Sequence, residues 1–240
     1  DHVACELLLS ERGDAGEAIS RCRRLLDLDA DPAVVDAHLS ADPVLAPLVA
    51  RGRGRRIPGS VDGGEMAIRA VLGQQISTAA ARTVAGRLAA ELGEPIADPD
   101  GAIERLFPTA DALLGLRLPG PARRAQTLTA VATALVSGEL SLGPGSDRGA
   151  ARAVLARLPG IGPWTTEILM MRALGDPDAF PASDLGVRRA AEALGLPASP
   201  AALLIARSRA WSPWRAYAVQ YLWSTLPHAI NVWPAPSYPL

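Results

Sequence analysis

The chain has 240 residues, 49% of them hydrophobic, enough to bury a core as one large domain or as two compact subdomains. Its formal net charge of −1 excludes the bulk attraction of a strongly basic nucleic-acid binder, so any phosphate contact must be local. Two cysteines (Cys5, Cys22) and three scattered histidines (His2, His38, His228) exclude an iron–sulfur cluster or a Cys-rich zinc site.

All 24 Lys+Arg positions are arginine, so no side chain can supply the amine of a Schiff base. No apolar run approaches the roughly 18 residues of a membrane span, and no signal-peptide pattern is present, so two reduced thiols in a cytoplasmic protein are expected. The chain starts at Asp1 without a methionine, and is expected to be cut from a longer polypeptide. Much of the apolar content is alanine, aromatics are only 4%, and long Val/Ile/Thr alternations are absent, which predicts an all-α protein.

Taken in order, residues 3–9 read as a remnant strand or a helix start, and Ala18–Leu28 as a helix. Asp31-Pro32 opens a helix through about Leu39, and the Gly/Pro-punctuated run 51–60 reads as a crossover. Arg51, Arg53, Arg55 and Arg56 within it read as a solvated loop. From Gly64, Ile68, Val71 and Leu72 share one helical face; a second helix follows Ser77, a candidate N-cap, after the turn Gly73-Gln74-Gln75-Ile76. Helices are predicted near 103–115, 121–137 and 148–157. Four more follow: Pro163 to Leu174 before Gly175, Leu185 to Leu194 before Gly195, Pro200 to Arg209, and Pro213 to about Thr225. Pro234, Pro236 and Pro239 predict an extended tail.

Leu158-Pro-Gly-Ile-Gly joins two of these helices. Gly160 and Gly162 can take positive φ or approach another backbone closely, and Pro163 starts a helix whose first N–H groups lack internal partners. Such a hairpin accepts a phosphate oxygen without a cationic side chain, although ordinary glycine punctuation would look the same. Ser183 and Asp184 directly precede the next helix, so either can be its N-cap. An aspartate held by such hydrogen bonds is also a rigid one.

Leu-Pro-Gly-Ile-Gly-Pro-Trp-Thr at 158–165, with Ser-Asp ending twenty positions after Trp164 (184 − 164 = 20), resembles the helix-hairpin-helix DNA glycosylases. Gly-Gln-Gln-Ile-Ser at 73–77 and Trp-Ser-Pro-Trp-Arg-Ala-Tyr at 211–217 agree with the 3-methyladenine DNA glycosylase II branch, over about residues 20–230. The resemblance implies two helical subdomains with a DNA cleft between them. One, residues 61–176, carries the wedge loop and the hairpin; the other joins 20–60 to 177–240; residues 1–19 remain from a preceding domain.

It further implies Asp184 as the catalytic carboxylate and Gln75 as the wedge that fills the gap left by an extruded nucleotide. Gly160, Gly162 and Thr165 would hold phosphate, and main-chain carbonyls of Leu158 and Ile161 a structural monovalent cation; no other cofactor is expected. Trp164 and Trp223 match aromatics of the base pocket, while Ile168 and Leu185 stand where close relatives have pocket tyrosines. Trp211, Trp214 and Trp233 are read as packing. Arg215 and the pair Arg188-Arg189 are left open between balancing Asp184, touching DNA and facing solvent. Relatives that also cut the strand have a lysine where Trp164 stands, so the implied reaction is monofunctional hydrolysis.

The implied activity is release of alkylated bases from double-stranded DNA by a monomer with no membrane association. The rival expectation is a non-catalytic DNA-binding or lesion-sensing module, which would keep the hairpin glycines and have no use for Asp184.

Overall fold

A computed structural model describes residues 3–9, 11–96, 103–115 and 121–227. His2, His228, Trp233 and the expected tail lie outside the described residues. The described chain is helical: α1 (Ala15–Leu25), α2 (Pro32–Ser40), α3 (Ala46–Arg51), α4 (Gly63–Leu72), α5 (Thr78–Leu92), α6 (Ala122–Val136), α7 (Arg148–Arg157), α8 (Pro163–Arg172), α9 (Leu185–Ala193), α10 (Ala201–Ser208) and α11 (Arg215–Trp223). It divides into two compact units, residues 1–28 with 58–176 and residues 29–57 with 177–240. Residues 20–28, expected in the second group, fall in the first.

Local chemistry places most helix starts. The Asp31 carboxylate accepts the N–H groups of Ala33 and Val34, Ser77 Oγ accepts that of Ala80 at 3.2 Å, and Asp147 that of Ala150 at 2.7 Å. Each satisfies a donor that the first turn cannot, and such a cap is worth about 1 kcal/mol.

Four expectations need correction. Residues 3–9 form no strand; they are exposed, and an extended segment gains no pairing energy without a neighbouring strand. The helix predicted over 103–115 is reduced to one 3-10 turn at Asp111–Leu113. Instead Ile96 N–H bonds Glu104 O at 3.0 Å and Leu106 N–H bonds Glu94 O at 2.9 Å, an antiparallel bridge, and Pro108 disfavours a helical Phe107. No element was assigned between Leu39 and residue 51, where helix α3 forms; Pro47 sits in its first turn, where a proline costs no hydrogen bond. The arginine-rich crossover is less solvated than its composition implies: Arg55 lies over the Tyr221 ring, 5.5 Å from its centroid, and Arg56 Nη1 donates to Ala30 O at 3.4 Å.

In the first unit α4 is the central element, packed against α5, α6 and α8, with α7 on α8. Its buried Ala67, Ile68, Ala70, Val71 and Leu72 meet a core that includes Leu128, Val131, Leu169 and Met170. The alanines let helix axes approach closely. In the second unit α11 packs on α9 and α3, and α2 on α3. Trp211 is fully buried there, edge-on to Phe180 with ring centroids 5.9 Å apart. Its indole N–H donates to Asp42 Oδ2 at 2.8 Å, and Arg207 pairs with the same oxygen. Burial pushes the Asp42 carboxyl upward, but the hydrogen bonds from Arg207, Trp211 and Val44 outweigh it and hold the group below its ordinary value. This tryptophan is therefore core, as expected.

Candidate active site

The hairpin of the first unit begins where α7 ends. Ile161 N–H closes a turn onto Leu158 O at 3.2 Å, with Gly160 at φ +79°. A side chain at Gly160 is barred twice. Its φ disfavours any Cβ, and a Cβ placed there would come within 2.0 Å of Thr127 Oγ1. Thr127 cannot easily retreat, since it is buried on α6 with its hydroxyl on Arg123 O at 3.0 Å. Gly162 is the N-cap residue of α8 and Pro163 its first residue. Gly162 supplies no capping side chain, and the positive end of the α8 dipole lies at this turn.

Thr165, expected at the phosphate, is buried on α8. Its hydroxyl accepts the Gln74 side-chain amide at 3.1 Å and keeps its own O–H as a donor. The Gln74 amide also donates to Gly160 O at 3.1 Å. The next residue, Gln75, is exposed and sits at φ +59°, a left-handed conformation that a non-glycine residue adopts at a cost of about 1–2 kcal/mol. The expected wedge is thus presented from a strained backbone, beside a glutamine tied to the hairpin.

In the second unit Asp184 is the N-cap of α9, its Oδ1 accepting Val187 N–H at 2.8 Å. The same oxygen accepts the indole N–H of Trp223, from α11, at 2.9 Å. The capping reading and the catalytic reading of Asp184 are therefore compatible: the bonds that start the helix also fix the carboxylate. Trp223 was expected only as a pocket wall; the structure makes it a hydrogen-bond donor to Asp184. A tryptophan 39 residues from an aspartate gives no local signal of that bond. Gly186 lies beneath the pair, where a Cβ would stand 3.0 Å from Asp184 Oδ1 and 3.1 Å from Trp223 Cδ1.

The other expected pocket residues are placed individually. Trp164 is half-buried on α8, Ile168 is buried on the same helix, and Leu185 is 59% exposed at the start of α9. Arg215, left open by the sequence, makes a fork with Asp178, Nε to Oδ1 at 2.8 Å and Nη2 to Oδ2 at 2.7 Å, and Ser212 Oγ adds a bond at 2.9 Å. Arg188 Nε donates to Ala198 O at 3.2 Å. These bonds tie both arginines to their own unit. Among the described residues no three His, Cys, Asp or Glu side chains gather as metal ligands, and no helix is long and apolar enough to cross a membrane. Leu158 is the C-cap residue of α7 and Ile161 precedes the N-cap of α8; their carbonyls are neutral oxygens, the donor type that a hard monovalent cation takes.

A glycine hairpin between two helices, followed by an aspartate capping the next, defines the class of helix-hairpin-helix DNA glycosylases. The solved structure of 3-methyladenine DNA-glycosylase from Archaeoglobus fulgidus shares the fold: TM-score 0.75, 26% identity, 90% of this chain and 76% of that one. DNA-3-methyladenine glycosylase 2 of Escherichia coli is 32% identical over 88% of this chain and 72% of its own length. The chain belongs to the DNA-3-methyladenine glycosylase (AlkA) family. The family model of the AlkA N-terminal domain matches residues 1–62, well beyond the 1–19 expected as a remnant. A protein of Mycobacterium tuberculosis, "Probable bifunctional transcriptional activator/DNA repair enzyme AlkA", is 51% identical over 98% of this chain but only 48% of its own length. The chain therefore spans about half of that relative.

Proposed function

We propose that the chain hydrolyses the N-glycosidic bond of alkylated purines, of the 3-methyladenine and 7-methylguanine type, in double-stranded DNA and leaves an abasic site. The observation that carries this reading is the Asp184 carboxylate, fixed by Val187 N–H and the Trp223 indole in a chain of this family. Breaking the bond requires the nucleotide to leave the duplex, and positive charge then develops on the sugar as the base departs. A carboxylate that is already oriented gains interaction energy with that charge without reorganising, which is the differential stabilisation that catalysis needs. It also orients the attacking water and takes its proton.

An alkylated purine carries positive charge before it leaves. It therefore needs little acid assistance, and the faces of Trp164 and Trp223 attract it by stacking and cation–π interaction. Water is the nucleophile in this reading, because no lysine is present to form a covalent Schiff base. The hairpin N–H groups hold the strand, Gln75 fills the vacated space, and the Leu158 and Ile161 carbonyls hold a monovalent cation that stiffens the turn. The protein acts as a monomer.

The test is release of free base under single-turnover conditions, with excess protein over methylated, deaminated and etheno-modified duplexes. Release from the methylated duplex with slow or absent release from the deaminated one supports the assignment. Retarded mobility of alkylated DNA without any freed base would instead make the chain a lesion-binding module.

A further inference from the structure

The turn between α4 and α5 contains two adjacent glutamines, and the structure treats them oppositely. Gln75 is exposed in the left-handed conformation, whereas Gln74 is engaged on three sides. Its Nε2 donates to Gly160 O and to Thr165 Oγ1, both at 3.1 Å. Its own main-chain carbonyl accepts Arg124 Nη2, from α6, at 2.8 Å. These partners lie 86, 91 and 50 residues away along the chain, so the turn is fastened to two other elements of its unit. Gly160 is simultaneously backed by Thr127 of α6. The wedge turn, the hairpin and α6 thus share one hydrogen-bonded junction with Gln74 at its centre.

We propose that Gln74 is a positioning residue that locks the wedge turn onto the hairpin, so that gripping the phosphate and inserting Gln75 are set by one rigid piece. This rests on the base-release reading for its consequence and on the geometry alone for the clamp. A turn holding a left-handed glutamine relaxes to commoner backbone angles once its fastening is removed, because that conformation persists only where surrounding bonds over-determine it. The hairpin would still hold DNA, but the wedge would enter the duplex less often. The side chain must donate twice, which makes glutamine the fitting residue: methionine matches its length without donors, and an ionised glutamate would turn an acceptor towards the Gly160 carbonyl.

The experiment compares the parental chain with Gln74→Met and Gln74→Glu on two probes. The first is a duplex with 2-aminopurine beside a tetrahydrofuran abasic analogue, whose fluorescence rises when insertion unstacks the base and which needs no catalysis. The second is single-turnover release of 7-methylguanine from matched double-stranded and single-stranded oligonucleotides. Loss of two neutral hydrogen bonds is expected to slow duplex release about tenfold, to slow single-strand release less than about twofold, and to cut the fluorescence rise several-fold at saturating protein.

Equal slowing on both strands, or an unchanged fluorescence rise, would overturn the clamp and leave Gln74 a packing residue. If parental protein frees no base, the base-release reading fails, while the fluorescence probe still decides the clamp. Should the Gln74 variants not fold, Thr165→Val removes one acceptor of the same junction at nearly constant volume, and the same split between the two probes is expected at a smaller size.

Discussion

The hairpin of the first unit and the Asp184 cap of the second both rest on helix N-termini, but they use them in opposite ways. At α8 the N-cap is glycine, which brings no side chain to the start of the helix, and the proposed phosphate contact is made by the main chain. At α9 the cap is a carboxylate that consumes a donor, and in the proposed function the side chain itself is the reacting group. The first kind of site is built from the absence of side chains and is protected by sterics. The second is built from one side chain and is protected by hydrogen bonds. Substitutions should therefore harm them through different observables, binding in one case and rate in the other.

The sharpest contrast is expected at Asp184. Asp184→Asn keeps an oxygen for Val187 N–H and the indole, so melting temperature and DNA affinity should stay near parental values. Base release should fall by about a hundredfold or more, because the charge that meets the developing cation is gone. Release at the parental rate would remove Asp184 from the chemistry.

Gly160→Ala should do the reverse. With φ +79° and Thr127 Oγ1 2.0 Å from the new Cβ, the turn must deform, and DNA affinity measured by fluorescence anisotropy should weaken about tenfold or more with a lowered melting temperature. Unchanged affinity would mean that the main chain of the turn does not carry the phosphate.

Trp223→Phe separates the wall from the donor: the aromatic face stays and the N–H leaves. A hydrogen bond to a charged group is worth about 1.5–3 kcal/mol, so the single-turnover rate should fall about tenfold with little change in affinity. A change in affinity alone would return Trp223 to the role of pocket wall.

The smallest expected effect is on stability in acid. Asp42 titrates below its ordinary value in the folded state, so its contribution is present above the unfolded carboxylate range near 3.8 and is lost as pH falls through the lower folded value. Asp42→Asn should lower the melting temperature at neutral pH and flatten the acid limb of melting temperature against pH. Base release measured where the variant is folded should be unaffected.

What was legible in the sequence was local. The α7–turn–α8 hairpin, Ser77 and Asp31 as caps, and the aspartate at the head of α9 each depend on residues within four positions of one another, where propensity and cap chemistry decide. What escaped was set by distant partners. Residues 103–106 carry a helix-compatible pattern yet bridge to 94–96, and α3 is a short helix with Pro47 in its first turn. Gln74 and Gln75 are the same residue type in the same turn; only their tertiary surroundings separate the proposed clamp from the proposed wedge. The Trp223 bond to Asp184 belongs to the same class, since α9 and α11 must pack before it exists.

Gly186 gives the region around the proposed catalytic carboxylate a quiet control point. It touches no reacting atom in the proposed chemistry, yet anything larger would press on Asp184, Trp223 and Leu226 at 3.0–3.1 Å together. A methyl group there acts as a shim under the carboxylate. In the proposed chemistry the rate of base release would therefore be adjustable from behind, by the thickness of one helix position, without altering any group that would face the DNA.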